Sequence, residues 1–185
     1  MFRLISLTTI VMLVAGCAPR SGVVTGAGPA VGSAAPDVQY ISQDGQASSL
    51  HAVRSPVTVV AFVQAEGSAC CWLEPRVVEL SDRLDDLPVT VAQFALPEGD
   101  CPHGQACVET CNLRDGELIA LCDAQRLAWN AYGRPKPSTL ILIGPDKQVM
   151  LTGSLDEPAP IMAAARELGE QQKQSRPIGD RREIY

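Results

Sequence analysis

At 185 residues, with 46% apolar and 19% charged residues, the chain has room for one cored domain of about 130–150 residues plus tails. A net charge of −6 and an aromatic content of 4% exclude the basic stripe and stacking platforms that nucleic-acid binding needs. The informative count is cysteine: seven, at Cys17, Cys70, Cys71, Cys101, Cys107, Cys111 and Cys122.

In chain order, Arg3 is followed by an apolar run from Leu4 to Val14. It is shorter than the roughly 20 residues a bilayer span requires but suits the core of an export signal. The run ends in Leu13-Val14-Ala15-Gly16-Cys17, which resembles the lipobox of bacterial lipoproteins. That resemblance implies a signal peptide over 1–16 and a lipidated Cys17. It also implies a lipid-anchored, periplasm-facing protein of the bacterial cell envelope. Ala18 rather than Asp follows Cys17, which favours the outer membrane. Residues 17–35 are rich in Pro, Gly, Ser, Ala and Val and read as a flexible tether, leaving residues 36–169 as the folded domain and 170–185 as a polar tail.

Val38–Ile41 reads as a strand, Gln43–Gln46 as a turn and Ala47–His51 as the returning strand. The β-branched run Thr58–Val63 suits a central parallel strand covered on both faces. It leads through Cys70 and Cys71 into an amphipathic helix marked by Leu73, Val77, Leu80 and Leu84. If that helix starts near Cys71, its unpaired N–H groups favour a thiolate there. Val89–Ala95 is a second buried strand and completes a right-handed βαβ unit. Residues 97–116 read as a loop of about 20 residues, long enough to be functional or stapled, and three of the cysteines fall inside it.

Regular structure resumes with a strand at Glu117–Cys122. Asp123 is the expected cap of a helix that turns Leu127, Ala128 and Ala131 inward and stops at Gly133. A strand over 135–143, a turn at Gly144–Lys147, an antiparallel strand over Gln148–Thr152 and a helix over Glu157–Leu168 complete the domain. In that last helix Ile161, Ala164, Ala165 and Leu168 face inward. Trp72 and Trp129 read as packing or site-wall residues, and His51 as structural.

This order resembles the thioredoxin superfamily, in its redoxin branch of TlpA-like oxidoreductases and peroxiredoxins. Several motifs carry the resemblance: Gly32 to Asp37 with its Ala35-Pro36-Asp37, Asp44-Gly45, Ala128 to Gly133 with its Tyr132-Gly133, Pro137-Ser138-Thr139, and Pro145-Asp146. It implies an α/β fold, a central mixed β-sheet flanked by helices, here with a Cys-rich loop insertion. It also implies that Pro137 is a cis-proline which, with Lys136, faces substrate. The dithiol pattern is displaced. Pro75 makes Cys70 the second cysteine of the family's Cys-x-x-Cys, and Gly67 stands where the first belongs. Against the peroxiredoxin pattern, Ser68 and Glu74 flank Cys71 at the family's spacings, while Gln64 replaces its proline.

Four uses of the six cysteines beyond Cys17 remain open. They staple the domain as disulfides, each contributing about 2–4 kcal/mol; adjacent Cys70 and Cys71 would then pair outward, because a vicinal ring is strained. Alternatively, Cys70 or Cys71 is a nucleophilic thiolate resolved by Cys101, Cys107 or Cys111. The partner is then a protein thiol or disulfide, or a peroxide, and no cofactor is required. A third use is copper or zinc binding, as in the Sco-type proteins of this fold, with Cys107 and Cys111 on one helical face and His103 nearby. The fourth is a redox-inactive binding module. For the anchor, metabolic labelling with a palmitate analogue is expected to mark the wild-type protein and to leave Cys17→Ala unlabelled; label on the variant refutes lipidation at Cys17.

Overall fold

The computed structural model describes residues 28–42, 45–65, 72–98, 108–114 and 118–175. Eight strands form one mixed sheet. In chain order they are β1 (Gln39–Ile41), β2 (Ala47–Ser49), β3 (Val57–Gln64), β4 (Val89–Leu96), β5 (Val108–Arg114), β6 (Leu118–Cys122), β7 (Thr139–Ile143) and β8 (Val149–Ser154). The helices are α1 (Pro75–Asp82), α2 (Leu127–Ala131) and α3 (Ala159–Ser175), with a 3-10 turn at Leu50–Ala52. The spatial order is β2-β1-β5-β6-β4-β3-β7-β8. Strands β3, β4 and β6 run parallel, and β7 and β8 continue the sheet antiparallel.

The period of two along each strand separates two apolar layers. Val57, Val59, Ala61 and Val63 of β3, with Val89 and Val91 of β4, pack on one face against Val77 and Leu80 of α1 and Ile161 and Ala165 of α3. Val60, Phe62, Ala92 and Phe94 face the other way, onto Ala128 and Tyr132 of α2 and the N-terminal segment at Ala35, Val38 and Leu50. Both faces of β3 and β4 are therefore dry, as their nearly continuous apolar sequence anticipates. Phe62 stacks on Phe94 at 5.3 Å between ring centroids and meets Tyr132 at 5.4 Å.

Several elements differ from the sequence expectation. The first helix starts at Pro75, not near Cys71. A residue before proline is pushed out of the α region, and Glu74 is extended at φ −68°, ψ 119°. The stretch 97–116 is not one loop, because residues 108–114 form β5, parallel to β1 and antiparallel to β6. Leu127 is 47% exposed rather than inward, since Arg126 takes a left-handed conformation (φ 57°) that delays the helix start. The expected tether is held over its last residues: Gly32 N–H donates to Val149, Ala35 N–H to Lys147, and Ala34 bridges Gln148. Among the described residues no helix is long and apolar enough to cross a membrane.

Helix α3 runs from Ala159 to Ser175, past the expected end at Leu168. Gly169 is there for close approach: a Cβ would stand 3.1 Å from both Leu87 Cβ and Val89 Cγ2. Beyond it, Lys173 Nζ donates to the Asp86 carbonyl at 3.1 Å. Filling that contact is expected to cost stability by overpacking. Gly169→Val should lower unfolding free energy by about 1–3 kcal/mol in urea denaturation, and an unchanged midpoint would show that the helix contact yields freely.

Candidate functional site

The parallel strands β3, β4 and β6 all end at one edge of the sheet, where Gln64, Leu96 and Cys122 are their last residues. At the end of β3, the Ala65 N–H donates to the Leu96 carbonyl at 3.0 Å, and the Gln64 side-chain amide donates to the same carbonyl at 2.8 Å. The segment carrying Cys70 and Cys71 leaves the sheet from Ala65 and rejoins described structure at Trp72. That point of return is held by Gln93, fully buried in the middle of β4. Its Nε2 donates to the Trp72 carbonyl at 2.5 Å, and its Oε1 accepts from the Glu74 N–H at 2.9 Å. One buried amide thus supplies both a donor and an acceptor to the backbone just ahead of α1.

The second cysteine-bearing segment is bracketed at the same edge. It departs after β4, at Pro97 and Glu98, and returns at Val108, where β5 begins beside the end of β6. Glu109 pairs with Cys122, and Cys122 in turn with Ala95. Cys70, Cys71, Cys101, His103 and Cys107, with Cys17, Gly67 and Ser68, lie outside the described residues. Cys111 is in β5 at a β-bulge, between Thr110 opposite Leu121 and Asn112 opposite Ala120. The chain from Val108 to Arg114 is extended, about 3.3 Å per residue, so Cys111 lies in a strand and not on the helical face expected for it. Among the described residues no group of three His, Cys, Asp or Glu side chains could hold a metal ion. Those residues do not supply a copper or zinc site.

Cys122, which the sequence reading placed only at a strand end, is 4% exposed at this edge. It shares the sheet row of Ala95, next along from Gln93 and Ala120. Its signal in sequence was position alone: the last residue of a buried strand, directly before a capping aspartate.

Lys136 and Pro137 also reach this edge. Ser138 N–H donates to the Phe62 carbonyl of β3 at 2.7 Å, and the Ser138 carbonyl accepts from Leu155 at 2.7 Å. Both Lys136 and Pro137 are exposed. Among the described residues no peptide bond is cis, so the expected cis-proline at Pro137 is trans. The chain turns here instead through left-handed Arg134 (φ 59°) and Ser138 (φ 70°).

Beneath these loops, Asp123 is fully buried and accepts from the N–H groups of Ala128 at 3.2 Å and Trp129 at 2.8 Å. It caps α2, as the sequence suggested, from a position ahead of the helix. Burial raises its pKa; the N–H groups of Trp129, Ala128 and Leu127 and the charge of Arg126 pull it down without reversing the shift. Tyr132 OH donates to the Pro36 carbonyl at 3.1 Å, and burial, then Asp37, raises its pKa. Asp37 Oδ1 accepts from the His51 N–H at 2.9 Å. The Ala-Pro-Asp and Tyr-Gly motifs are thus one structural contact.

A groove of about 220 Å³ between α1 and α3 is lined by Leu80, Leu155 and Met162 among others. Arg76 ties its walls, reaching Glu74 at 2.7 Å and Asp156 at 2.6 Å. Exposed pairs of this kind contribute little to stability.

Many solved structures share this architecture. An uncharacterized conserved protein from Geobacillus kaustophilus superposes with a TM-score of 0.55 at 17% identity, covering 77% of this chain and 83% of its own. A thiol:disulfide interchange protein from Bacteroides sp. gives 0.51 at 16%, covering 79% and 97%. BsSco, a member of the Sco family of cytochrome c oxidase assembly proteins in which a disulfide switch was identified, gives 0.50 at 16%, covering 74% and 94%. The chain has a thioredoxin-like fold. No protein-family model and no curated relative matches it in sequence. In this thioredoxin-like chain the cysteine-bearing segments are connections at the end of the sheet, and Gln93 fixes one return.

The Gln93 contacts generate a prediction. Gln93→Leu keeps the side-chain size but leaves the Trp72 carbonyl and Glu74 N–H unmet, each costing about 1–3 kcal/mol when buried. Urea denaturation should show a loss of about 2–4 kcal/mol, and the Glu74 amide should exchange faster while Val91 in the same strand stays protected relative to global unfolding. Unchanged Glu74 exchange would refute the clamp.

Proposed function

We propose that the protein is an envelope-anchored thiol–disulfide oxidoreductase. Cys70 or Cys71 supplies the attacking thiolate, and a cysteine of the 101–111 segment, Cys101, Cys107 or Cys111, resolves the intermediate. One observation carries the reading: both cysteine-bearing segments leave from and return to the same end of the sheet, at Ala65, Trp72, Glu98 and Val108. The likeness of the fold to a thiol:disulfide interchange protein adds support.

In the forward direction, the thiolate attacks one sulfur of a partner's disulfide. A mixed disulfide forms and the other partner sulfur leaves as thiolate. The resolving thiol, once deprotonated, then attacks the protein-side sulfur, forming an internal disulfide and releasing the reduced partner. Two electrons pass from the cysteine pair to the partner, and the reverse sequence oxidises a partner dithiol. Helix α1 begins at Pro75, four residues after Cys71. The Lys136 loop, tied to the end of β3 through Ser138, is the cationic element at this edge. Lipidation at Cys17 and a periplasm-facing position complete the proposal and supply the oxidising compartment in which such exchange operates.

The test is chemical. Alkylation before and after mild reductant, read by mass spectrometry, is expected to show at least one pair converting between disulfide and thiols. Insulin-disulfide reduction is expected to fall at least tenfold in Cys70→Ser or Cys71→Ser. Six cysteines locked against mild reductant, or activity indifferent to both serine variants, overturns the reading. Peroxide consumption without insulin reduction would instead assign peroxidase chemistry to the same thiolate.

A further inference from the structure

We infer that the surface made by Arg126, Leu127, Trp129, Arg134 and Lys136 docks an acidic segment of the protein partner. The inference rests on the proposed exchange reaction for its purpose and on separate observations for its chemistry. From Ala124 to Gly144 the sequence carries three cations, Arg126, Arg134 and Lys136, and no carboxylate, within a chain whose net charge is −6. Among the described residues none of the three forms a salt bridge; the pairs there belong to Arg76 and Arg83. A local positive surface on an acidic protein attracts an anionic ligand.

The surface is built rather than accidental. The Trp129 indole is fixed by its Nε1–H, which donates to the Pro135 carbonyl at 2.7 Å. Both guanidinium groups lie over that ring, Arg126 Cζ at 4.9 Å and Arg134 Cζ at 5.7 Å from its centroid. The Arg134 Nε is further held by Asn130 Oδ1 at 2.9 Å. Stacking orders the two planar forks ahead of binding, so little side-chain entropy is lost when they meet a carboxylate. Arg126 and Arg134 also take left-handed backbone conformations, φ 57° and 59°. Each costs about 1–2 kcal/mol for a residue with a Cβ, and strain of this kind gathers at binding sites.

Position completes the argument. Ser138, following Lys136 and Pro137, bonds to Phe62 near the end of β3, from which the Cys70–Cys71 segment departs. An acidic stretch reaching the Lys136 end of this surface would lie near the point where that segment departs. Exposed Leu127, 47% accessible, offers apolar contact between charges, which suits a mixed acidic and apolar polypeptide over a bare anion.

The test uses a cysteine-free, fluorophore-labelled peptide rich in Asp and Glu with interspersed Leu, and the full chain in nonionic detergent, followed by anisotropy. The acidic peptide should bind, and the same sequence with Lys for Asp and Glu should not. Affinity should drop at least tenfold between about 50 and 300 mM salt, as screening demands. Arg126→Gln with Arg134→Gln should weaken binding at least tenfold, while the paired Lys variants recover only part, because charge returns without the planar fork. No binding at low salt, salt-independent binding, or full affinity in the folded double Gln variant each overturns the proposal. Should that variant not fold, the wild-type salt series decides. Phosphatidylglycerol vesicles that bind in its place, and displace the peptide through the same arginines, would assign the surface to the membrane and also overturn it. Because the peptide has no thiol, failure of cysteine chemistry leaves this result readable, and the reverse holds.

Discussion

A single buried amide sets the geometry on which the cysteine-bearing end of this molecule depends. Gln93 stands in a fully buried strand whose other residues, Thr90 apart, are apolar, and an unpaired amide there would cost several kcal/mol. It spends both its polar ends on the backbone ahead of α1, at the Trp72 carbonyl and the Glu74 N–H. Those two groups lie in the gap between the end of β3 and the first helical turn, where neither sheet nor helix can satisfy them. Replacing the sheet's apolar pattern at one position therefore defines where the chain returns after Cys71. The helix could not do this itself: Pro75 lacks an N–H, and Glu74 makes no side-chain cap, its carboxylate turning to Arg76 instead.

The same end of the sheet is reinforced from its other face. Asp123 gathers the first N–H groups of α2, Tyr132 reaches across to Pro36, and Ser138 fastens the following loop to Phe62. The Tyr132 and Ser138 contacts join segments far apart in sequence, and all of these bonds run to backbone groups, so the edge is specified by hydrogen bonding while the two apolar layers supply bulk stability. The division fits a fold whose connections carry chemistry: the core tolerates loop variation, and the loops inherit fixed points of departure and return.

Much of this was legible in sequence because it follows from period and length. The β-branched run around Val59 marked a covered central strand, and the apolar run Leu140–Ile143 marked β7, although the strand begins at Thr139 and not at residue 135. Asp123 and Gly133 marked α2 through cap chemistry. What failed did so for local reasons. The bulge at Cys111 breaks the alternation of β5, and its Glu, Thr, Asn and Arg content hides a strand that pairs with β1 and β6. Glycine is a poor helix former, yet at Gly169 the absence of a side chain is what allows α3 to lie on Leu87 and Val89. Pro75 carried the correct signal for the start of α1; the periodicity of Leu73 and Val77 pulled the boundary earlier. Gln93 gave no signal, since a lone amide in an apolar run reveals its partners only once the chain is folded.

The two arginines over Trp129 show how the remaining misfit becomes informative. Sequence logic turned Leu127 inward, because a helix capped by Asp123 and apolar at 127, 128 and 131 should bury all three. The structure leaves Leu127 exposed and holds Arg126 in a left-handed turn, so the cap acts across a longer approach and only Ala128 of the three is buried. That arrangement gives up apolar burial and accepts backbone strain, neither of which helps the fold. What it gains is a fixed indole with two oriented guanidinium groups and an exposed leucine, next to the lysine loop anchored at the end of β3. A stability argument alone would place glycine at 126, which takes φ 57° without the Cβ penalty. The residues actually present make sense when the surface is selected for what it meets.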